Sequence, residues 1–193
     1  MITDCTAIIM AGGDSHRMGT DKANVALGEK TLLQSVIATM QQLFPQVIVS
    51  VRQPRAGIDW PQVCDEQPDG GPLAGLVASL GQITTPWAFM VACDMPFVVP
   101  EVVELLAGYR SRYQAVVPVV HGHPQPLAAF YAASCLAPLR ASLVAQQNSL
   151  RGVLKQLDVR YVDEAELLKA DPQLRSFFDL DTPQDVAQAK NQV

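Results

Sequence analysis

The chain is short of basic residues, of long apolar runs and of paired cysteines, and each shortage argues against a class of protein. Its basic residues are outnumbered, 14 Lys and Arg against 19 Asp and Glu, for a net charge of −5. A nucleic-acid partner calls for a basic face to meet the phosphate backbone, so that class is not expected. No apolar run approaches the roughly 18 residues needed to span a bilayer, so no membrane partner is expected either. The opening Met1-Ile2-Thr3-Asp4-Cys5-Thr6 carries neither the basic region nor the apolar core of an export signal. The four cysteines, Cys5, Cys64, Cys93 and Cys135, form no CxxC pair. That spacing argues against a zinc site, and a structural disulfide is not expected without export. A reducing cytoplasm is the expected location. Nothing in the order of Ser, Cys, His and Asp suggests a nucleophile with its base.

What the sequence does contain is a 193-residue chain with 49% hydrophobic and 17% charged residues, the balance of a compact protein. Its length suffices to bury roughly 70% of the unfolded surface, and no repeat, linker or low-complexity tract divides it. One domain over residues 1–193 is expected. Strand-like and helix-like patterns alternate along it. Ala7 to Met10 and Val47 to Val51 read as strands, separated by a helix with Leu32, Leu33, Val36, Ile37, Met40 and Leu43 on one face and Thr31 as N-cap. Val63 to Asp65 is a short extended segment, and Pro72 suits the first turn of the next helix. Trp87 to Cys93 is almost uninterrupted apolar sequence, as in a strand covered on both faces, and is expected at the centre of a parallel sheet. A helix opens at Pro100, Ala115 to Val120 is a strand, and Leu127 to Tyr131 is its hairpin-like or neighbouring partner. Helical patterns around residues 136–144 and 150–157 precede a late edge strand at Val159 to Val162. Thr182, Pro183 and Asp185 form a capping box for a C-terminal helix, with Asp in place of Glu. The alternation predicts a three-layer α/β/α fold of Rossmann-like character with a mainly parallel sheet.

Three places fall at the carboxyl ends of these strands, where α/β sheets bind ligands. The first is Met10-Ala11-Gly12-Gly13-Asp14-Ser15-His16-Arg17-Met18-Gly19-Thr20-Asp21-Lys22. Glycines let backbone N–H groups approach a ligand, and two cations beside them suit a nucleotide phosphate chain. The loop matches neither GxGxxG nor GxxxxGK followed by Ser or Thr, so it is a phosphate-binding loop of another kind. In it Arg17 can grip a phosphate with two parallel hydrogen bonds, and Lys22 acts as a point charge. The second and third places are Asp65 and Asp94. A carboxylate directly after an apolar strand needs compensation, and Mg²⁺ bridging it to phosphate oxygens supplies that, making Asp94 the metal-ligand candidate. His16, His121 and His123 read as solvated turn residues. If the acceptor is a phosphate, it is already ionised near pH 7, so nucleotidyl transfer can rest on positioning and charge neutralisation.

The run from Met10 to Lys22 resembles the signature loop of the molybdenum cofactor guanylyltransferases, nucleotidyltransferases of the MobA type. Gly71-Pro72-Leu73-Ala74-Gly75, Cys93-Asp94-Met95-Pro96, Gln125-Pro126-Leu127-Ala128 and Asp181-Thr182-Pro183-Gln184-Asp185 resemble later family motifs in the same order. The resemblance implies transfer of GMP from GTP to molybdopterin with release of pyrophosphate. It implies Mg²⁺ as cofactor on Asp94, and Arg17, Lys22 and Asp94 as catalytic residues. It places Met10, Ala11, Gly12, Gly13, Lys22, Asp65, Gly71 and Asp94 against the nucleotide, with Ser50 standing where the family usually has asparagine. It also implies transient contact with molybdoenzyme apoproteins or other cofactor-biosynthesis proteins. Two features divide over the base. Asp179 and Asp181 replace the Asn-x-Asn-Thr-Pro asparagines, as in the related cytidylyltransferases, whereas Gly12-Gly13 and Gly-Pro-Leu-Ala-Gly match the guanylyl enzymes, and GTP is favoured. CTP as donor, another small phosphorylated acceptor, and a non-catalytic nucleotide-binding protein are the alternatives.

Overall fold

The computed structural model describes residues 1–13, 21–65, 67 and 70–190. Its regular elements run β1 (Cys5–Met10), β2 (Ala26–Leu27), β3 (Lys30–Thr31), α1 (Leu32–Leu43), β4 (Gln46–Val51), β5 (Gln62–Cys64), α2 (Gly71–Leu80), β6 (Trp87–Ala92) and α3 (Pro100–Ala107). There follow β7 (Ala115–Val120), β8 (His123–Pro124), β9 (Ala128–Ala132), α4 (Leu136–Val144), α5 (Leu150–Val153), β10 (Val159–Val162), α6 (Glu164–Leu167) and α7 (Pro183–Lys190).

The main sheet has the order β10-β7-β9-β6-β1-β4-β5. β1 is paired in parallel with both β4 and β6, β5 is parallel to β4, and β10 is parallel to β7. Strand side chains alternate between faces, and the cores follow that alternation. Ala7 and Ile9 of β1, with Phe89 and Val91 of β6, face α1 and α3; Ile8, Ala88 and Met90 face α2, α4 and α5. Phe44, Phe89 and Phe130 cluster at the centre of the first layer: Phe44 stacks on Phe89 with ring centroids 5.7 Å apart, and Phe130 lies tilted against Phe89 at 4.8 Å. A third, smaller core of Leu27, Leu32, Leu180, Val186 and Ala189 holds α7 and the β2–β3 ribbon to α1. This is a mixed, mostly parallel α/β sheet with helices on both faces, as the alternation predicted.

Local signals read from the sequence hold where they act within a few residues. Thr31 caps α1, and Gln34 completes a capping box by accepting from the Thr31 backbone N–H at 2.9 Å. Thr182 and Asp185 bond reciprocally: the Thr182 N–H donates to Asp185 Oδ2 at 2.8 Å, and the Asp185 N–H donates to Thr182 Oγ1 at 3.2 Å. One longer-range expectation needs correction and another is narrowed. β6 is central but lies between a parallel and an antiparallel neighbour, because β9 is inserted antiparallel between β6 and β7. The Leu127 to Tyr131 segment, as β9, is the neighbouring partner of β7 as expected and also pairs with β6, while the hairpin partner of β7 is the two-residue β8. The pattern over 150–157 resolves into α5 and a 3₁₀ turn, Leu154–Gln156.

The chain leaves β1 toward β4 and β5, then returns to β6 on the other side of β1. The strand order thus reverses between β1 and β6, and a crevice opens beyond their carboxyl ends, where doubly wound sheets bind ligands.

Candidate active site

Backbone bonds just past the strand ends bring the candidate residues together. The Cys93 N–H donates to the Met10 carbonyl at 3.0 Å, the Ala11 N–H to Ser50 O at 2.8 Å, and the Asp65 N–H to Val51 O at 3.2 Å. Around them is a cavity of about 240 Å³ lined by Met10, Ala11, Gly12, Gly13, Lys22, Ser50, Asp65, Gly71 and Asp94. All nine residues placed against the nucleotide by sequence thus face one space. Arg17 and His16 lie outside the described residues.

Close approach of α2 to β1 and β4 builds the back of the cavity. A Cβ on Gly75 would stand 2.4 Å from Met10 Cε and 2.6 Å from Ser50 Oγ, so any side chain there would displace both. Gly12 is similarly constrained, since a Cβ there would lie 3.3 Å from both Cγ and the backbone N of Arg52.

Lys22 is the electrostatic hub. Its Nζ donates to Asp94 Oδ2 at 2.7 Å and also pairs with Asp181 Oδ1. Burial draws the Lys22 pKa down, but hydrogen bonds to Asp181 and Asp94 outweigh it, and the net direction is upward. Asp94 is thus neutralised by Lys22. Asp181 arrives from the far end of the chain because Leu180 is buried in the third core and its N–H donates to the Asp94 carbonyl at 2.9 Å. Asp179 and Asp181 then flank Leu180 at the site. Burial of the Asp179 carboxyl, and next the charges of Asp94 and Asp181, push its pKa up to about 6, although the residue as a whole is exposed.

Asp65 has a different character. Its Oδ1 is buried with no hydrogen-bond partner among the described residues. Burial raises its pKa, opposed by the nearby charge of Arg52. A buried acceptor left unsatisfied costs free energy unless a ligand donor completes it, so this atom is a natural binding point.

Sequence reasoning missed Arg52, Pro72, Cys93 and Leu127, which line the same cavity, and Arg55, whose guanidinium reaches Ala11 O and Asp21. Burial holds the Cys93 thiol up at about 12, which favours the protonated, unreactive form near pH 7. His121 and His123 are both exposed, His121 in the turn and His123 opening β8, and among the described residues no group of three or more His, Cys, Asp and Glu is placed to hold a metal ion.

A second cavity of about 400 Å³ adjoins the first and is lined by Gln125, Pro126, Asn148 to Arg151, Asp179 and Asp181. Pro72, Asp94 and Leu127 border both spaces. Asp94 stands at the junction. Among the described residues no helix is long and apolar enough to cross a membrane.

Known proteins resemble this chain in sequence and fold. Residues 7–161 match the family described as MobA-like NTP transferase domain. A protein of Chloroflexus aggregans named probable molybdenum cofactor guanylyltransferase is 38% identical over 94% of this chain and 91% of its own. One of the same name from Pelotomaculum thermopropionicum is 32% identical over 96% and 91%. The crystal structure of molybdopterin-guanine dinucleotide biosynthesis protein A from Archaeoglobus fulgidus superposes with a TM-score of 0.86 at 29% identity, covering 97% of both chains. Sequence, fold and the crevice at the β1/β6 switch point therefore agree, and the chain belongs to the MobA-like NTP transferase family of nucleotidyltransferases.

Proposed function

We propose that this chain, acting as one nucleotidyltransferase domain over residues 1–193, transfers GMP from GTP to molybdopterin and releases pyrophosphate. One observation carries the reading: two adjoining cavities meet at Asp94, one framed by the glycine loop and Asp65, the other by Gln125, Asn148 to Arg151 and the Asp179–Asp181 segment. A transferase needs separate room for donor and acceptor with the reacting atoms between them. The names of the relatives supply the identity of the two substrates.

In this reading an ionised acceptor phosphate oxygen attacks the α-phosphorus of GTP. A new P–O bond forms as the bond to the leaving pyrophosphate breaks, and no general base is required. The backbone of Met10 to Gly13 and the charges of Lys22 and Arg17 hold the triphosphate. Asp65 accepts from adjacent N–H groups of guanine, its buried Oδ1 having no hydrogen-bond partner among the described residues. A hard divalent cation fits the donor set, because Asp94 and Asp181 already converge on one cation, the Lys22 ammonium. Mg²⁺ takes one or two protein carboxylates and completes its shell with phosphate oxygens and water, so Asp94, with Asp181 as the nearest second carboxylate, would hold it. When bound, it would neutralise charge on the triphosphate.

The test is pyrophosphate release from protein, Mg²⁺ and molybdenum-bearing molybdopterin with each nucleoside triphosphate in turn. Release with GTP alone is expected. Release with CTP alone would make the Asp179–Asp181 tail the better guide to the base, and binding without release would reduce the protein to a nucleotide carrier.

A further inference from the structure

Arg55 belongs to none of the motifs that pointed to the site, yet it joins the two ends of the glycine loop. Its Nη1 donates to the Ala11 carbonyl at 3.0 Å, and its Nη2 pairs with the Asp21 carboxylate. Ala11 immediately precedes Gly12-Gly13, and Asp21 immediately precedes Lys22. Asp21 also accepts from the Ala23 N–H at 3.1 Å and so caps the 3₁₀ turn Lys22–Asn24. Arg55 itself is anchored from the edge of the sheet. Its N–H donates to Gln62 Oε1 at 2.9 Å, while Gln62 Nε2 donates to Arg55 O at 2.9 Å and to Ile58 O at 3.2 Å. Gln62 lies on β5, in register with Val49 of β4.

A continuous chain of contacts thus runs from the rigid sheet through Gln62, Arg55 and Asp21 to Lys22, and on to Asp94 and Asp181. A planar guanidinium can hold two acceptors at a fixed angle, whereas a lysine ammonium is a point charge on a flexible stem. We propose that Arg55 is a positioning residue for nucleotidyl transfer: it sets the separation between the start of the phosphate loop and the turn that delivers Lys22. Arg55 touches neither Asp94 nor the reacting atoms; it acts through Asp21 and Ala11. The catalytic half of this inference rests on the function proposed above, while the structural half does not.

The test therefore has two readouts. Hydrogen exchange of the Ala23 amide, followed in the nucleotide-free protein, should speed at least tenfold in Arg55→Ala while exchange in β1 and β6 is unchanged. Unchanged exchange at Ala23 would overturn the proposal whatever the activity. In the pyrophosphate assay, Arg55→Ala should lower kcat on the order of 10- to 100-fold, the scale of a small misplacement of a catalytic group, with the KM for molybdopterin unaltered. Added guanidinium ion should restore part of that loss, ammonium ion should not, and Arg55→Lys should behave like Arg55→Ala. Wild-type turnover with an Arg55→Ala variant of equal kcat, or equal rescue by ammonium, would overturn the positioning role alone. Absence of turnover in the wild type, with faster exchange in the variant, would instead remove the proposed function and leave the loop anchor in place.

Discussion

Replacing Lys22 with methionine keeps the aliphatic stem and removes a cation from contact with two carboxylates, with a third nearby. The Lys22 and Asp94 side chains are each 17% exposed, whereas Asp181 is 41% exposed. A charge-assisted hydrogen bond in a half-buried setting contributes roughly 1.5–3 kcal/mol, and the more exposed Asp181 contact at most about 1 kcal/mol. Relief of the lysine's own desolvation offsets part of this. The net loss should be about 2 kcal/mol, or roughly 4–8 °C in Tm for a chain of this size. Thermal and urea denaturation at pH 7 in chelator-treated buffer measure it. A double-mutant cycle with Asp94→Asn sharpens the test, since methionine at position 22 should cost less once position 94 is uncharged, with a coupling of about 1–2 kcal/mol. If Asp94 and Asp181 also form the cation site, millimolar Mg²⁺ should recover much of the lost stability in Lys22→Met and add little to the wild type. An Lys22→Met protein as stable as the wild type, or additive with Asp94→Asn, would refute the reasoning that Lys22 neutralises this cluster.

Asp65→Asn should leave the nucleotide-free protein as stable or slightly more stable, because a desolvated charge is removed, yet abolish most of the stabilisation by GTP. That stabilisation is about 2.7 kcal/mol in the wild type at 100 times Kd, read by thermal shift. Gly12→Ala places a Cβ 3.3 Å from Arg52 Cγ and N, so it should fold but bind GTP about tenfold more weakly, roughly 1.4 kcal/mol, as measured by calorimetric titration. Asp179 supplies a pH test. Its folded-state pKa of about 6 lies above the ordinary 3.8, so the folded protein holds that proton more tightly, and the associated stability is present at low pH and lost as pH rises toward 6. Asp179→Asn should raise Tm at pH 7 relative to the wild type and bring no gain near pH 3; an equal gain at both pH values would exclude this origin.

Much of this molecule can be read one element at a time. The alternation of Ile8 against Ala7 and Ile9 assigns each side chain of β1 to a face, and Thr31 and Thr182 mark helix starts because caps act over three residues. Strand-end position picked out the glycine loop, Asp65 and Asp94, and the family resemblance added Ser50 and Gly71; the described residues among them line one cavity. What escaped was the antiparallel insertion of β9. An apolar strand buried on both faces looks the same whichever way its neighbour runs.

The sequence by itself determined the fold class and the capped helix starts at Thr31 and Thr182, because periodicity and capping are local properties, and with the family resemblance it marked nine of the residues that line the first cavity. Tertiary structure alone decided which charges meet. Lys22 finds Asp94 and Asp181 at separations of 72 and 159 residues, and Arg55 reaches back 44 residues to Ala11. Ion pairs across such distances follow from the strand order and from the buried Leu180 that ties the C-terminal segment to the Asp94 turn, and no pattern in the local sequence encodes them.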